Sequence, residues 1–137
     1  MSKITVWFVK MSLIYLVIGV TVGWLILLFP GWAGVYFPIH AHINLLGFVS
    51  MMIFGIGYHV FPRFSGRPLY SEKLATAHFW LANVGLPGMV YFWSKYRHGG
   101  GEWAREVTWG FSALFAIGAY LFAYNVFRTL KPIEVRR

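Results

Sequence analysis

The sequence predicts an all-α membrane protein with four transmembrane helices, and three observations support this fold class. Apolar residues make up 58% of the 137 residues and charged residues only 12%, whereas an ordinary soluble domain has about 25% charged residues. A soluble chain of this length, sufficient for one domain only, could not bury so much apolar surface. Four apolar stretches are also present, each close to the ~20 residues that cross a bilayer.

The four apolar stretches predict helices at about 7–29, 37–61, 72–94 and 105–128, within one integral membrane domain of residues 1–137. Lipid offers no water to unpaired backbone groups, and barrel strands would be shorter and would alternate in polarity. The first stretch is too long for a signal peptide and is not followed by a small-residue cleavage site. We therefore expect it to be retained as a spanning helix.

Helix-breaking and helix-capping residues mark the predicted ends. Pro30 should end the first helix, Pro38 should open the second and Pro62 should close it. Ser71 is expected to cap the third helix at its N-terminus. Pro87 lies within the third helix and is expected to kink it.

The distribution of basic residues predicts the orientation in the membrane. The net charge is +8, and cytoplasmic loops carry an excess of Lys and Arg. Nine basic residues fall on one side: Lys3, Lys10, Arg63, Arg67, Lys73, Arg128, Lys131, Arg136 and Arg137. Three fall on the other: Lys95, Arg97 and Arg105. Both termini are therefore predicted to be cytoplasmic, and no nucleic-acid partner is needed to explain the charge.

Two histidines carry the main functional signal in a chain without cysteine. His40 and His42 lie in the outer part of the second helix, where a polar residue is costly and is a candidate for function. A spacing of two residues turns an α-helix by about 200°, so the side chains leave on nearly opposite sides. They are placed for two separate sites, such as two planar cofactors, and imidazole is a usual ligand of haem iron. The alternative is that they line a wet cavity or hydrogen-bond to neighbouring helices.

The other three histidines have simpler interpretations. His59 and His78 lie near the cytoplasmic side and His98 lies in the outer loop, where histidines usually anchor at the interface or hydrogen-bond to carbonyl groups. Three glycines of the second helix either permit close helix packing or leave room for a flat macrocycle; these are Gly47, Gly55 and Gly57.

Three motifs in this order resemble subunit I of the haem-copper oxidases: HAH (40–42), HVFPRFSG (59–66) and HF (78–79). In that family they open the tenth helix, close it and open the eleventh. The flanking helices resemble the ninth and twelfth, so the chain resembles one four-helix arc of the subunit. The run HINLL (42–46) also resembles a run in nitric oxide reductase relatives.

The resemblance implies particular roles for the histidine pair. His40 corresponds to the proximal ligand of the high-spin haem and His42 to an axial ligand of the low-spin haem. The nitric oxide reductase resemblance agrees about His42 and disagrees about His40. A basic pair that binds haem propionates in the family implies this role for Lys95 and Arg97. The resemblance also implies a bacterial or archaeal inner membrane.

The function predicted from the sequence is that of a homo-oligomeric haem b protein in the lipid bilayer. One or two haems per protomer, or haems shared between protomers, would serve electron transfer or the binding of NO or O2, with a redox partner protein. An enzymatic alternative is a minimal NO or O2 reductase whose non-haem metal has four candidate ligands: His40, His98, Glu102 and Glu106. Further alternatives are an accessory or haem- or metal-handling subunit and a purely structural protein. Copper is not favoured, because the arc that holds copper in the family has no counterpart here.

Overall fold

The computed structural model describes residues 2–130, and within that range it contains helices and no strands. The all-α fold predicted from composition is thereby confirmed. The elements in chain order are α1 (Lys3–Leu28), a 3-10 turn (Pro30–Trp32), α2 (Ala33–His42), a π-helical segment (Ile43–Ser50), α3 (Met51–Phe64), α4 (Glu72–Arg97) and α5 (Glu102–Thr129).

Three helical stretches in the described range are long and apolar enough to cross a membrane: Lys3–Leu28, Pro30–Phe64 and Glu102–Thr129. The fourth helix, α4, is as long as α1, with 26 residues. Its sequence is more polar, with Glu72 and Lys73 at its start. Three residues used to predict the orientation lie outside the described range: Lys131, Arg136 and Arg137. The cytoplasmic placement of the termini therefore stays a prediction.

Prolines and caps locate the helix ends only in part. Ser71 caps α4 as predicted: its hydroxyl accepts from the backbone N–H of Leu74 at 3.2 Å. Pro38 and Pro62, by contrast, lie inside α2 and α3. A proline removes one hydrogen bond from a helix and does not by itself oblige the helix to begin or end there.

The helices pair as two hairpins, α1 with the helix of residues 30–64 and α4 with α5. In the first hairpin, side chains of the opposing helix fill the space beside the glycines. A Cβ atom at Gly47 would lie 2.6 Å from the ring of Tyr15, and one at Gly55 would lie 3.0 Å from Cβ of Phe8. Of the two interpretations of these glycines, close helix packing is the one the structure adopts.

Gly85 permits a backbone contact between α4 and α5, and its replacement by alanine is expected to destabilise the hairpin. The added methyl group would lie 2.7 Å from the backbone nitrogen of Phe115 and 2.9 Å from the carbonyl oxygen of Phe111. Overpacking of this kind costs about 1–3 kcal/mol of unfolding free energy, measurable by denaturation in mixed micelles. Gly110→Ala is the control, since nothing lies within 4 Å of that position. Equal losses in both variants would contradict the account.

A buried polar pair lies at the core of the bundle. His78 is fully buried, and its Nδ1 lies 3.0 Å from the hydroxyl of Tyr58. The rings of Phe8 and Phe54 pack around His78 with centroid distances of 4.8 and 4.5 Å. His78 is therefore a core residue bonded to a tyrosine hydroxyl, and not the interface anchor or carbonyl-bonded histidine expected from its sequence position.

Tyr58→Phe is expected to destabilise the chain because it leaves Nδ1 of His78 without its partner. In the described part of the chain the other ring nitrogen, Nε2, already has no partner. A newly unsatisfied buried group costs about 1–3 kcal/mol, again measured as unfolding free energy. Tyr120→Phe, at an exposed position (72%), is the control. Adding His78→Leu to Tyr58→Phe should recover part of the loss, and no recovery would argue against the pair as its cause.

Candidate haem site

The two central histidines face different helices. His40 packs against α1, where its Nδ1 lies 2.8 Å from the carbonyl oxygen of Gly19. His42 lines a pocket formed with α4 and α5. The two side chains thus lie in different surroundings, as expected for a spacing of two residues in a helix.

His42 is oriented by its own helix. Its Nδ1 lies 2.7 Å from the carbonyl oxygen of Pro38, one turn earlier. A carbonyl oxygen only accepts, so Nδ1 carries the hydrogen and donates it, and Nε2 of the neutral ring keeps its lone pair. Ligating histidines are usually fixed by such a bond from the other ring nitrogen.

The pocket beside His42 has a volume of about 350 Å³. Most of its wall is apolar or aromatic, as is usual for cofactor sites. It is lined by Pro38, Ile39, His42, Met89, Trp93, Arg105, Thr108, Trp109 and Ser112.

Two hydrogen-bond donors in the pocket wall have no acceptor. Within residues 2–130, the buried atoms Nε1 of Trp93 and Nε of Arg105 lack a hydrogen-bond partner. The guanidinium of Arg105 is held by Glu102, at 2.5 Å between Nη2 and Oε2, and lies 5.0 Å from the ring centroid of Trp109. A buried unsatisfied donor in a native structure calls for an explanation, and both of these donors belong to side chains that line the pocket.

Lys95 and Arg97, the basic pair implied by the family resemblance, do not line this pocket. Both are exposed. Nζ of Lys95 lies 5.0 Å from the ring centroid of Trp103, and the guanidinium of Arg97 lies 6.0 Å from that of Trp93. Arg105, which the sequence analysis used only as a topology signal, is the basic residue at the pocket.

The spacing along α5 could have identified Arg105. It shares one helical face with Thr108, Trp109 and Ser112, three, four and seven residues further on. That face is the one that lines the pocket.

The candidates for a non-haem metal are dispersed. His98 follows the last residue of α4 as its C-cap and donates from Nδ1 to the carbonyl oxygen of Ser94 at 2.7 Å. Glu102 pairs with Arg105, and Glu106 is exposed. In the described range no three residues among His, Asp and Glu are grouped to hold a metal ion.

Comparison with known proteins identifies the family. The family model for cytochrome c and quinol oxidase polypeptide I matches residues 3–137. The cbb3-type cytochrome c oxidase subunit CcoN1 of Stutzerimonas stutzeri is 31% identical over 124 residues, covering 69% of this chain and 26% of that protein. Cytochrome c oxidase subunit 1 of Rhodobacter capsulatus is 48% identical over 48 residues, covering 34% and 9%. No solved structure gives a significant match.

The fold and the comparisons define a multi-pass helical membrane protein of the haem-copper oxidase class. The chain belongs to the family of cytochrome c and quinol oxidase polypeptide I. It spans about a quarter or less of the length of these curated relatives.

Proposed function

We propose that this chain binds haem b through His42, assembles with further copies of itself, and serves electron transfer or the binding of a diatomic gas. Family membership supports haem as the cofactor. The observation that carries the proposal is the pocket, which is lined by the imidazole of His42, bonded through Nδ1, and by two side chains whose buried donors lack acceptors in the described range.

The residues of the pocket fit a haem in three respects. His42 offers a neutral nitrogen ligand, and the aromatic wall suits a flat macrocycle. Arg105 and Trp93 offer donors to the carboxylate groups that a haem carries at its edge, where charge-assisted hydrogen bonds are strong. A bound haem would supply one-electron transfer when six-coordinate and an open position for NO, CO or O2 when five-coordinate.

A second axial ligand would come from another copy of the chain. Among the described residues His42 belongs to no group of three His, Cys, Asp or Glu side chains that could hold a metal ion, and that side chain is itself exposed. Large apolar side chains cover much of the outer face of α1, including Val17 (66% exposed) and Leu27 (79%). Such faces contact lipid or another helix, and self-association would bury them while bringing histidines together.

Absorption spectra test the proposal. The 137-residue chain in lipid nanodiscs is titrated with haem, and spectra are recorded in the oxidised state, the reduced state and the reduced state with CO. A stoichiometric Soret band is expected, and its response to CO separates an open iron from a six-coordinate one. Native mass spectrometry of the same sample gives the number of copies and haems. Absence of a Soret band would refute haem binding, and a haem-loaded monomer would refute self-association.

A further inference from the structure

Two groups of opposite hydrogen-bonding character meet at Nδ1 of His40. The carbonyl oxygen of Gly19 lies 2.8 Å away, and the side-chain amide nitrogen of Asn44 lies 3.2 Å away. The carbonyl can only accept a hydrogen bond and the amide nitrogen can only donate one. A neutral imidazole has one protonated nitrogen, so Nδ1 can bond to only one of these two groups at a time.

Close packing against α1 keeps both groups beside the ring. A Cβ atom at Gly19 would lie 2.6 Å from the amide of Asn44, and one at Gly23 would lie 2.5 Å from Cε1 of His40. The two side chains therefore occupy space that only glycines leave open. Asn44 has a second anchor, because its amide nitrogen donates to the carbonyl oxygen of His40 at 2.9 Å.

His42 has no such competition among the described contacts. Its Nδ1 is bonded to the carbonyl oxygen of Pro38 alone. In the neutral ring the hydrogen is therefore held on Nδ1, and Nε2 carries the lone pair. His40 and His42, which lie two residues apart, therefore differ in how many groups compete for Nδ1.

We propose that Asn44 is a positioning residue that keeps His40 exchanging between two tautomers, only one of which can bind a metal. When Nδ1 donates to Gly19, Nε2 carries a lone pair and can ligate. When Asn44 donates to Nδ1, the hydrogen resides on Nε2 and ligation there is blocked. The hydrogen relocates within the ring, and the net charge does not change.

For haem binding, which rests on the proposed function, the consequence is that His40 and His42 have different roles as ligands. His42 is the permanent ligand, since nothing competes with its ligating form. His40 is the exchangeable ligand, since iron must first displace the hydrogen bond from Asn44. A haem held by His40 would therefore open and close its coordination more readily than one held by His42.

Nitrogen-15 NMR of the histidine rings tests the proposal without haem. The 137-residue chain is labelled with 15N-histidine in nanodiscs, and the signals are assigned with His40→Gln and His42→Gln. His42 should show one form with an unprotonated Nε2. His40 should show both forms, or shifts averaged between them. Asn44→Leu removes the donor at similar size and should leave His40 entirely in the Nδ1–H form.

The matched control is Asn83→Leu, because the amide of Asn83 also donates to a carbonyl four residues earlier, that of Phe79, at 2.9 Å. It should leave the signals of His40 unchanged. If Asn44→Leu does not fold, Asn44→Ala also removes the donor and should give the same single form. A His40 signal that is the same in the original chain and in the Asn44 variant would overturn the proposal.

Haem addition to the same samples separates this inference from the proposed function. Tautomers that respond to Asn44 in a chain that binds no haem would uphold the inference and refute the function. Haem binding with tautomers that do not change in the Asn44 variant would uphold the function and refute the inference.

Discussion

His42→Ala is expected to remove most of the bound haem, with at least a tenfold loss of affinity. In the proposed function His42 supplies the ligand nitrogen at the pocket, and the bond from its Nδ1 to the carbonyl oxygen of Pro38 leaves the lone pair on Nε2 of the neutral ring. Even changes to residues that merely orient a metal ligand cost about 10–100-fold in affinity, so loss of the ligand itself should cost no less. The measurement is haem retained per chain after dialysis against a haem-binding competitor.

His98→Ala is the control for this prediction. It removes an imidazole with the same type of hydrogen bond, from Nδ1 to the carbonyl oxygen four residues earlier, at the exposed end of α4. Haem retention should equal that of the original chain. Full retention in His42→Ala would contradict the assignment, and added imidazole should restore the spectrum of this variant if the lost nitrogen is the cause.

Arg105→Gln is expected to weaken haem binding by about tenfold to a hundredfold. Its Nε is a buried donor at the pocket without a partner in the described range, and hydrogen bonds to charged groups contribute about 1.5–3 kcal/mol. The spectrum of the haem that still binds should be unchanged, because His42 remains. Haem affinity is measured by fluorescence quenching of the tryptophans near the pocket.

Arg97→Gln is the matched control, since it removes an exposed guanidinium that also lies over a tryptophan ring, that of Trp93. The two variants lose the same charge, so an electrostatic effect of net charge alone would affect both equally. A larger loss in Arg97→Gln than in Arg105→Gln would instead favour the basic pair implied by the family resemblance.

Much of the fold follows from composition and local pattern. Apolar stretches of membrane-spanning length predict helices because lipid cannot satisfy an open backbone. Ser71 was identifiable as a cap because its hydroxyl replaces a missing acceptor at a helix start. The opposite directions of His40 and His42 follow from helical geometry alone.

The remaining features depend on contacts between distant parts of the chain. Asn44 reaches the ring of His40 from one turn along the same helix, but Gly19 lies 21 residues before His40, and only the packing of α1 brings its carbonyl oxygen to the same ring nitrogen. The role of Arg105 at the pocket was not predicted because that pocket also needs residues of α4, which lie before the glycine-rich turn. Helix ends predicted from Pro38 and Pro62 were wrong because a helix tolerates one absent hydrogen bond when packing supports it.

The π-helical segment at Ile43–Ser50 lies directly after the histidine pair. Its wider turns follow the i→i+5 pattern, and one side-chain bond shows the same step, from the hydroxyl of Ser50 to the carbonyl oxygen of Leu45 at 2.9 Å. Each residue in it rotates less about the axis than in an α-helix. The segment thus sets the rotation of α2 relative to α3 about the axis of the long helix. Tyr58 of α3 lies in the core, and the directions of the two histidines of α2 depend on this rotation. We expect an inserted or deleted residue in this segment to change the directions of His40 and His42 relative to α3.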